Sequence, residues 1–189
     1  MASVIVEEYG KDPFLILISC LLSLRTRDVI SLPVSQALFA HAKTPQELVK
    51  IPIPKLEKII HATGFYRNKA RVLHNVSVAL IKNFKGKVPS SLDDLLSLPG
   101  VGRKTANLVL AQAFDSPAIC VDTHVHRLAN QLGMVHTKTP EQTELALQKI
   151  VPKKYWIELN RLLVTWGQQI PRKKQIVLLE KLMTDSDKS

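Results

Sequence analysis

Residues 14–24 read FLILISCLLSL, an apolar run with no polar face, which predicts a helix buried on all sides. It falls well short of the roughly 18 apolar residues that a membrane-spanning helix needs, so no membrane span is expected. Elsewhere apolar positions recur at helical spacing and strand-like alternation is nearly absent, so the chain is expected to be all-α with short connections. Two helix starts are explicit. Thr44-Pro45-Gln46-Glu47 and Thr139-Pro140-Glu141-Gln142 each place a hydroxyl at the N-cap, proline at N1 and Glu or Gln at N3, satisfying amides that have no partner within the helix. Pro54 predicts a helix running to Gly64, where a left-handed C-cap suits glycine, and a longer helix should follow over about residues 66–84. Pro33 should kink the amphipathic stretch 28–39 or start its regular part. A short helix over 91–96 precedes a glycine-rich turn. Further helices are expected near 104–114, 123–131, 141–150 and 155–167, with a last one after Pro171 and a frayed polar tail over 184–189.

The glycine-rich turn lies in SLPGVGRKTANLVL, residues 97–110. Leu98 and Val101 are its apolar anchors. Gly100 and Gly102 permit positive φ and would let a phosphate approach bare backbone amides at the start of the next helix, where the helix dipole favours an anion. Arg103 and Thr105 in that first turn join the set expected to hold a nucleic-acid backbone. Such contacts fix register without reading sequence. The alternative is an ordinary helix–helix turn that Pro99 and the glycines merely punctuate.

Charge changes the weight of that reading. The 189 residues include 26 Lys and Arg against 16 Asp and Glu, a formal charge of +10, which favours a polyanionic partner, with nucleic acid as the first candidate. With 46% hydrophobic residues the chain can bury a real core, as one large domain or two small lobes. The two cysteines, Cys20 and Cys120, are too few for a disulfide framework or a four-thiolate metal site, and both lie in apolar runs. Buried thiols in a reducing compartment are expected. Glu7 and Glu8 stand where a signal peptide would carry basic residues, so the expected location is cytoplasmic, on the nucleoid.

Residues 98–127, LPGVGRKTANLVLAQAFDSPAICVDTHVHR, closely resemble the signature of the endonuclease III family within the helix-hairpin-helix, Gly-Pro-Asp glycosylase superfamily. The likeness runs from about Pro13 to Gly167 and includes LLSLRTRD (21–28), TGFYRNKA (63–70) and the pair Trp166-Gly167. It implies two helical lobes with a DNA cleft: a six-helix barrel over 10–116 carrying the hairpin at about 98–104, and a second lobe made from 1–9 and 117–189. It further implies a base excision repair glycosylase with abasic-site lyase activity on oxidised pyrimidines in duplex DNA, acting as a monomer.

Lys104 matches the family's Schiff-base lysine. A neutral amine there could attack C1′ of a flipped-out nucleotide and expel the base, and the helix N-terminus and a closed cleft both favour the neutral form. On its residue chemistry alone, Lys104 could equally pair with a phosphate. Monofunctional relatives lack this lysine. Asp122 in VDTH is by itself a good helix N-cap, worth about 1 kcal/mol. The resemblance gives its carboxylate a second role, stabilising positive charge at C1′ as the base departs. The two roles are compatible.

Extruding a nucleotide leaves a gap that a side chain must fill. The resemblance assigns this to the positions of Arg25, typically glutamine in relatives, and Phe65, usually leucine. Phe65 keeps an apolar wedge and adds a stacking face. Arg25 adds charge, which bears on how the orphan base is read. Asp28 matches an acidic position near the lesion pocket. Asn68 and Lys69, beside Arg67 and Arg71, are expected to contact phosphates, as is His124, while His126 is expected to pack. Many relatives hold an iron–sulfur cluster with four cysteines after the Trp-Gly pair. Here that stretch reads GQQIPRKK, so no cluster and no other cofactor is expected, with Arg172, Lys173 and Lys174 keeping the phosphate contact. Two other readings stay open: a monofunctional mismatch glycosylase, and a non-catalytic hairpin module that only grips DNA.

Overall fold

The structure is a computed structural model that describes residues 2–169. Its regular elements are helices, with no strand among the described residues. In order they are α1 (Ala2–Tyr9), α2 (Pro13–Ser23), α3 (Asp28–Phe39), α4 (Pro45–Val49), α5 (Ile53–Ile59), α6 (Tyr66–Phe84), α7 (Leu92–Leu96), α8 (Arg103–Ala113), α9 (Thr123–Gln131), α10 (Pro140–Ile150), a 3-10 turn (Lys153–Tyr155) and α11 (Trp156–Gln169). The chain divides into two compact units, Met1–Ser116 and Pro117–Ser189.

The first unit is built around α2. Asp12 caps it by accepting from the amides of Phe14 and Leu15, and Pro13 stands in its first turn, where the absent N–H costs nothing. Nine of its eleven residues are buried, so it needs partners all round, and α1, α3, α6 and α8 supply them. Each fully buried Leu or Ile contributes about 1.5–3 kcal/mol relative to exposure. The one polar side chain in the middle, Ser19, donates to the Ile16 carbonyl at 2.8 Å. Residues 1–9 were expected to group with the second lobe. Instead α1 packs on α2 and α8 and Ile5 has no exposed surface, because the all-apolar α2 offers α1 a face to cover.

Around this centre the caps act as their chemistry predicts. Thr44 and Glu47 form a reciprocal capping box on α4, and Ser91 accepts from the Asp94 amide to start α7. Helix α6 lays a stripe of Ala70, Leu73, Val76, Ser77 and Leu80 inward and ends in two left-handed residues, Lys85 and Gly86. Pro33 lies inside α3, which runs on through it to Phe39. The helix begun near Pro54 stops at Ile59 with Ile60 as C-cap, four residues short of the expected Gly64, and the left-handed residue that follows is Phe65.

In the second unit α9, α10 and α11 enclose Ile119, Val121, Val125, Leu128, Ala129, Val135, Leu147 and Leu163. Thr139 caps α10 through the Gln142 amide. The helix expected after Pro171 and the tail over 184–189 lie outside the described residues.

Candidate nucleic-acid interface and active site

The hairpin joins α7 to α8. Leu98 donates its amide to the Leu95 carbonyl and Val101 to the Leu98 carbonyl, each at 3.2 Å, and both side chains are buried. Their inward packing leaves only their backbone for a partner. Gly100 holds φ at +77°, and a Cβ there would lie 2.6 Å from Val72 Cγ1, so glycine is required both for the turn and for the approach to α6. Gly102 is the N-cap of α8 and brings no side chain to cap it. A Cβ at Gly102 would meet nothing within 4 Å, which leaves the start of an eleven-residue helix open to an anion. Arg103 is half-buried and Lys104 exposed. Thr105 was expected among the backbone contacts, but its side chain is buried, 4% exposed, and serves packing.

Two neighbouring turns stand beside this hairpin. Arg25 (φ 54°) and Phe65 (φ 59°) both adopt left-handed backbone, a conformation that costs an ordinary residue about 1–2 kcal/mol. Phe65 is 62% exposed, and the Arg25 guanidinium carbon lies 5.0 Å from its ring centroid in a cation–π contact. A pocket of about 250 Å³ lined by Leu21, Leu24, Arg25, Phe65, Val72 and Gly100 connects both turns to the hairpin. Asn68, which is exposed, and the buried Lys69 also line it. Asp28 is exposed at the first position of α3, where a carboxylate suits the helix dipole, and it does not line this pocket.

Lys69 corrects the sequence reading. It was expected on a phosphate, yet it is 7% exposed, and its amine donates to the Leu22 carbonyl at 2.6 Å and to Thr26 Oγ1 at 2.7 Å. Burial lowers the amine to about 8. Its neighbours Arg67 and Arg71 remain exposed, Arg67 lying 5.6 Å over the Tyr66 ring. In the second unit Asp122 caps α9, one carboxylate oxygen accepting from the amides of His124 and Val125, each at 2.9 Å. His124 is half-buried, and His126 bonds through Nδ1 to Thr143 Oγ1 at 2.6 Å. Arg172, Lys173 and Lys174 lie outside the described residues.

Sequence reasoning missed the inward turn of Lys69 and the left-handed backbone at Arg25. For Phe65 a signal existed, since Gly64 marked a turn, one residue early. Nothing in LLSLRTRD announces positive φ at Arg25.

A glycine-bearing turn anchored by buried Leu98 and Val101 and opening onto an uncapped helix, in a basic chain whose described elements are all helices, has the form of a helix-hairpin-helix DNA-binding protein. The family model described as HhH-GPD superfamily base excision DNA repair protein matches residues 18–153. Endonuclease III of Thermotoga maritima is 49% identical over 159 residues, covering 84% of this chain and 75% of that protein. The chloroplastic endonuclease III homolog 1 of Arabidopsis thaliana is 40% identical over 83% of this chain, which spans 44% of that longer protein. A trapped endonuclease III–DNA covalent intermediate with an estranged adenine superposes with a TM-score of 0.81 at 36% identity, covering 91% of this chain and 85% of that one. The chain therefore belongs to the endonuclease III family of the HhH-GPD base excision DNA repair superfamily.

The cluster carried by many relatives needs four thiolates. The chain has two cysteines, Cys20 within α2 and Cys120 in the second unit, and both are buried. Burial pushes the Cys20 thiol up to about 12. Among the described residues no group of three or more His, Cys, Asp or Glu side chains could hold a metal ion.

Proposed function

We propose that in this base excision repair glycosylase and abasic-site lyase Lys104 is the nucleophile and Asp122 its electrostatic partner, acting on oxidised pyrimidines in duplex DNA. The observation that carries this reading is the exposure of Lys104 at the second position of α8, directly after a helix start open to a phosphate. With the backbone held there, the amine has a sugar within its range of action.

The reaction follows from ordinary amine chemistry. Lys104 Nζ attacks C1′ and the C1′–N bond breaks, the base leaving with the electron pair and taking up a proton. The sugar ring opens to an iminium, whose electron withdrawal acidifies the 2′ hydrogen. Loss of that proton expels the 3′ phosphate by β-elimination, and water hydrolyses the imine to restore the amine. The Asp122 carboxylate offsets the positive charge that builds at C1′. Its bonds to two backbone amides hold it in one orientation.

Arg25 and Phe65 are the pair we assign to the gap left by the extruded nucleotide: an exposed aromatic wedge with a donor-rich cation over its face. Gly100, Gly102 and Arg103 hold the phosphates, with Leu98 and Val101 shaping the turn. Asn68 and His124 add polar contacts, and Arg172, Lys173 and Lys174 extend the basic surface. We place the enzyme as a monomer on intracellular DNA.

Borohydride trapping on a duplex with one oxidised pyrimidine tests the chemistry. The native protein should give a covalent adduct that Lys104→Gln abolishes. Asp122→Asn, which keeps the helix cap and removes the charge, should unfold at the native denaturant midpoint while its rate falls by about 10²–10⁴. Base release without an adduct would make the enzyme monofunctional, and binding with neither would reduce it to a clamp. The enzyme is further proposed to work without an iron–sulfur cluster. Stoichiometric iron with absorbance near the visible blue in purified protein would overturn this.

A further inference from the structure

The Lys69 amine does something the catalytic scheme leaves unused. It reaches from the first turn of α6 to the Leu22 carbonyl near the end of α2 and to Thr26 Oγ1, and so brackets the turn that carries Arg25. Lys69 is also only four residues beyond Phe65, whose carbonyl accepts the Lys69 amide at 3.0 Å. One residue therefore grips both left-handed turns, through its backbone on one side and its side chain on the other. A third contact runs parallel: the Gly64 backbone passes so close that a Cβ there would sit 3.5 Å from the Arg25 carbonyl oxygen.

Left-handed backbone at a large residue persists only where the surroundings over-determine it. Two such residues side by side, one of them a 62% exposed phenylalanine, pack on each other through the cation–π contact but are not buried in the core. The Arg25 turn is closed locally by the Thr26 amide donating to the Ser23 carbonyl at 3.0 Å, but the side-chain bonds that tie it to α6 come from Lys69, and a charged donor to a carbonyl and a hydroxyl is among the stronger of such bonds.

We propose that Lys69 is a positioning residue: an internal latch that presents Arg25 and Phe65 as one preformed plug for the gap opposite an extruded nucleotide. This rests on the assignment of that pair to the gap. The latch touches neither DNA nor the reacting atoms. Its effect appears only where a base must be displaced from a duplex, because ordering the plug in advance removes the cost of ordering it on the DNA.

The test uses the full chain and two variants, one at each end of the latch: Lys69→Met, which keeps the stem and loses the donors, and Thr26→Val, which removes one acceptor without changing shape. A duplex carrying a tetrahydrofuran abasic analogue with 2-aminopurine opposite reports displacement of that base by its fluorescence at saturating protein. Borohydride trapping on single-stranded abasic DNA reports the chemistry without a duplex to open. For Lys69→Met the ratio of unstacked to stacked 2-aminopurine should fall by roughly tenfold, the effect of one charge-assisted hydrogen bond, with a smaller fall for Thr26→Val and unchanged single-strand trapping in both. Native fluorescence in both variants overturns the latch. An equal loss in both assays also overturns it, since that pattern marks general damage to the fold. If the native protein gives the fluorescence change but no adduct, the nucleophile assignment fails and the latch stands.

Discussion

Arg25 stands where the family resemblance leads one to expect a glutamine. A guanidinium donates from five N–H groups and accepts nothing, whereas an amide does both. On the proposed pyrimidine substrates the orphan base is a purine. The edge that faces the vacated position is the Watson–Crick edge, where guanine offers the O6 acceptor beside N–H donors and adenine the N1 acceptor beside an N–H donor, so a guanidinium meets one acceptor on either and leaves the donors unanswered. Arg25→Gln, whose amide accepts as well as donates, should therefore change the ratio of excision opposite guanine to excision opposite adenine. Single-turnover rates on two duplexes that differ only at the opposite base measure it. A ratio unaltered by the substitution would show that Arg25 does not read the base. The sequence disclosed the identity of this residue but not its posture, because positive φ at arginine is imposed by the neighbouring turn and has no local signature.

At the level of the element, the hairpin depends on one glycine more than the other. Gly102 has open space around it, and its value lies in what it leaves uncovered. Gly100 has a left-handed φ and Val72 hard against it. Gly100→Ala should therefore destabilise the protein by about 2–5 kcal/mol, from the left-handed strain and the overpacking against α6 together, as read from urea unfolding midpoints. Gly102→Ala should leave the midpoint nearly native while weakening DNA binding. Equal destabilisation by both would contradict this division of labour. Most helix starts were legible here, since Thr44, Ser91 and Thr139 carry their own capping chemistry. The end of α5 was not. Gly64 looked like a C-cap, but the chain leaves the helix at Ile59 to bring Gly64 past Arg25, a tertiary demand that no local propensity encodes. The turn of Lys69 into the core has the same origin: a lysine in a basic run reads as solvated until the α2 carbonyl that captures it is known.

For the molecule as a whole, the excess of positive charge predicts binding that weakens steeply with salt, as phosphate contacts release counterions. The slope also sorts the cations. Arg103→Ala and Arg67→Ala should each reduce it by about one, whereas Lys69→Met should leave it unchanged, its amine being held inside the protein. A slope lowered by Lys69→Met would return that lysine to the phosphates. Helical class and the hairpin could be read from periodicity, caps and glycines, and the family from the run 98–127. The place of α1 could not, because eight residues of a short apolar helix specify a need for cover without naming what provides it.

The state of the sulfurs has a consequence for the life of the enzyme. Peroxide attacks thiolates that it can reach. Cys20 is buried within α2, where burial pushes its thiol up to about 12, and Cys120 is likewise buried. Both cysteines are therefore expected to resist oxidation in the folded protein, which the intact mass after peroxide exposure would check.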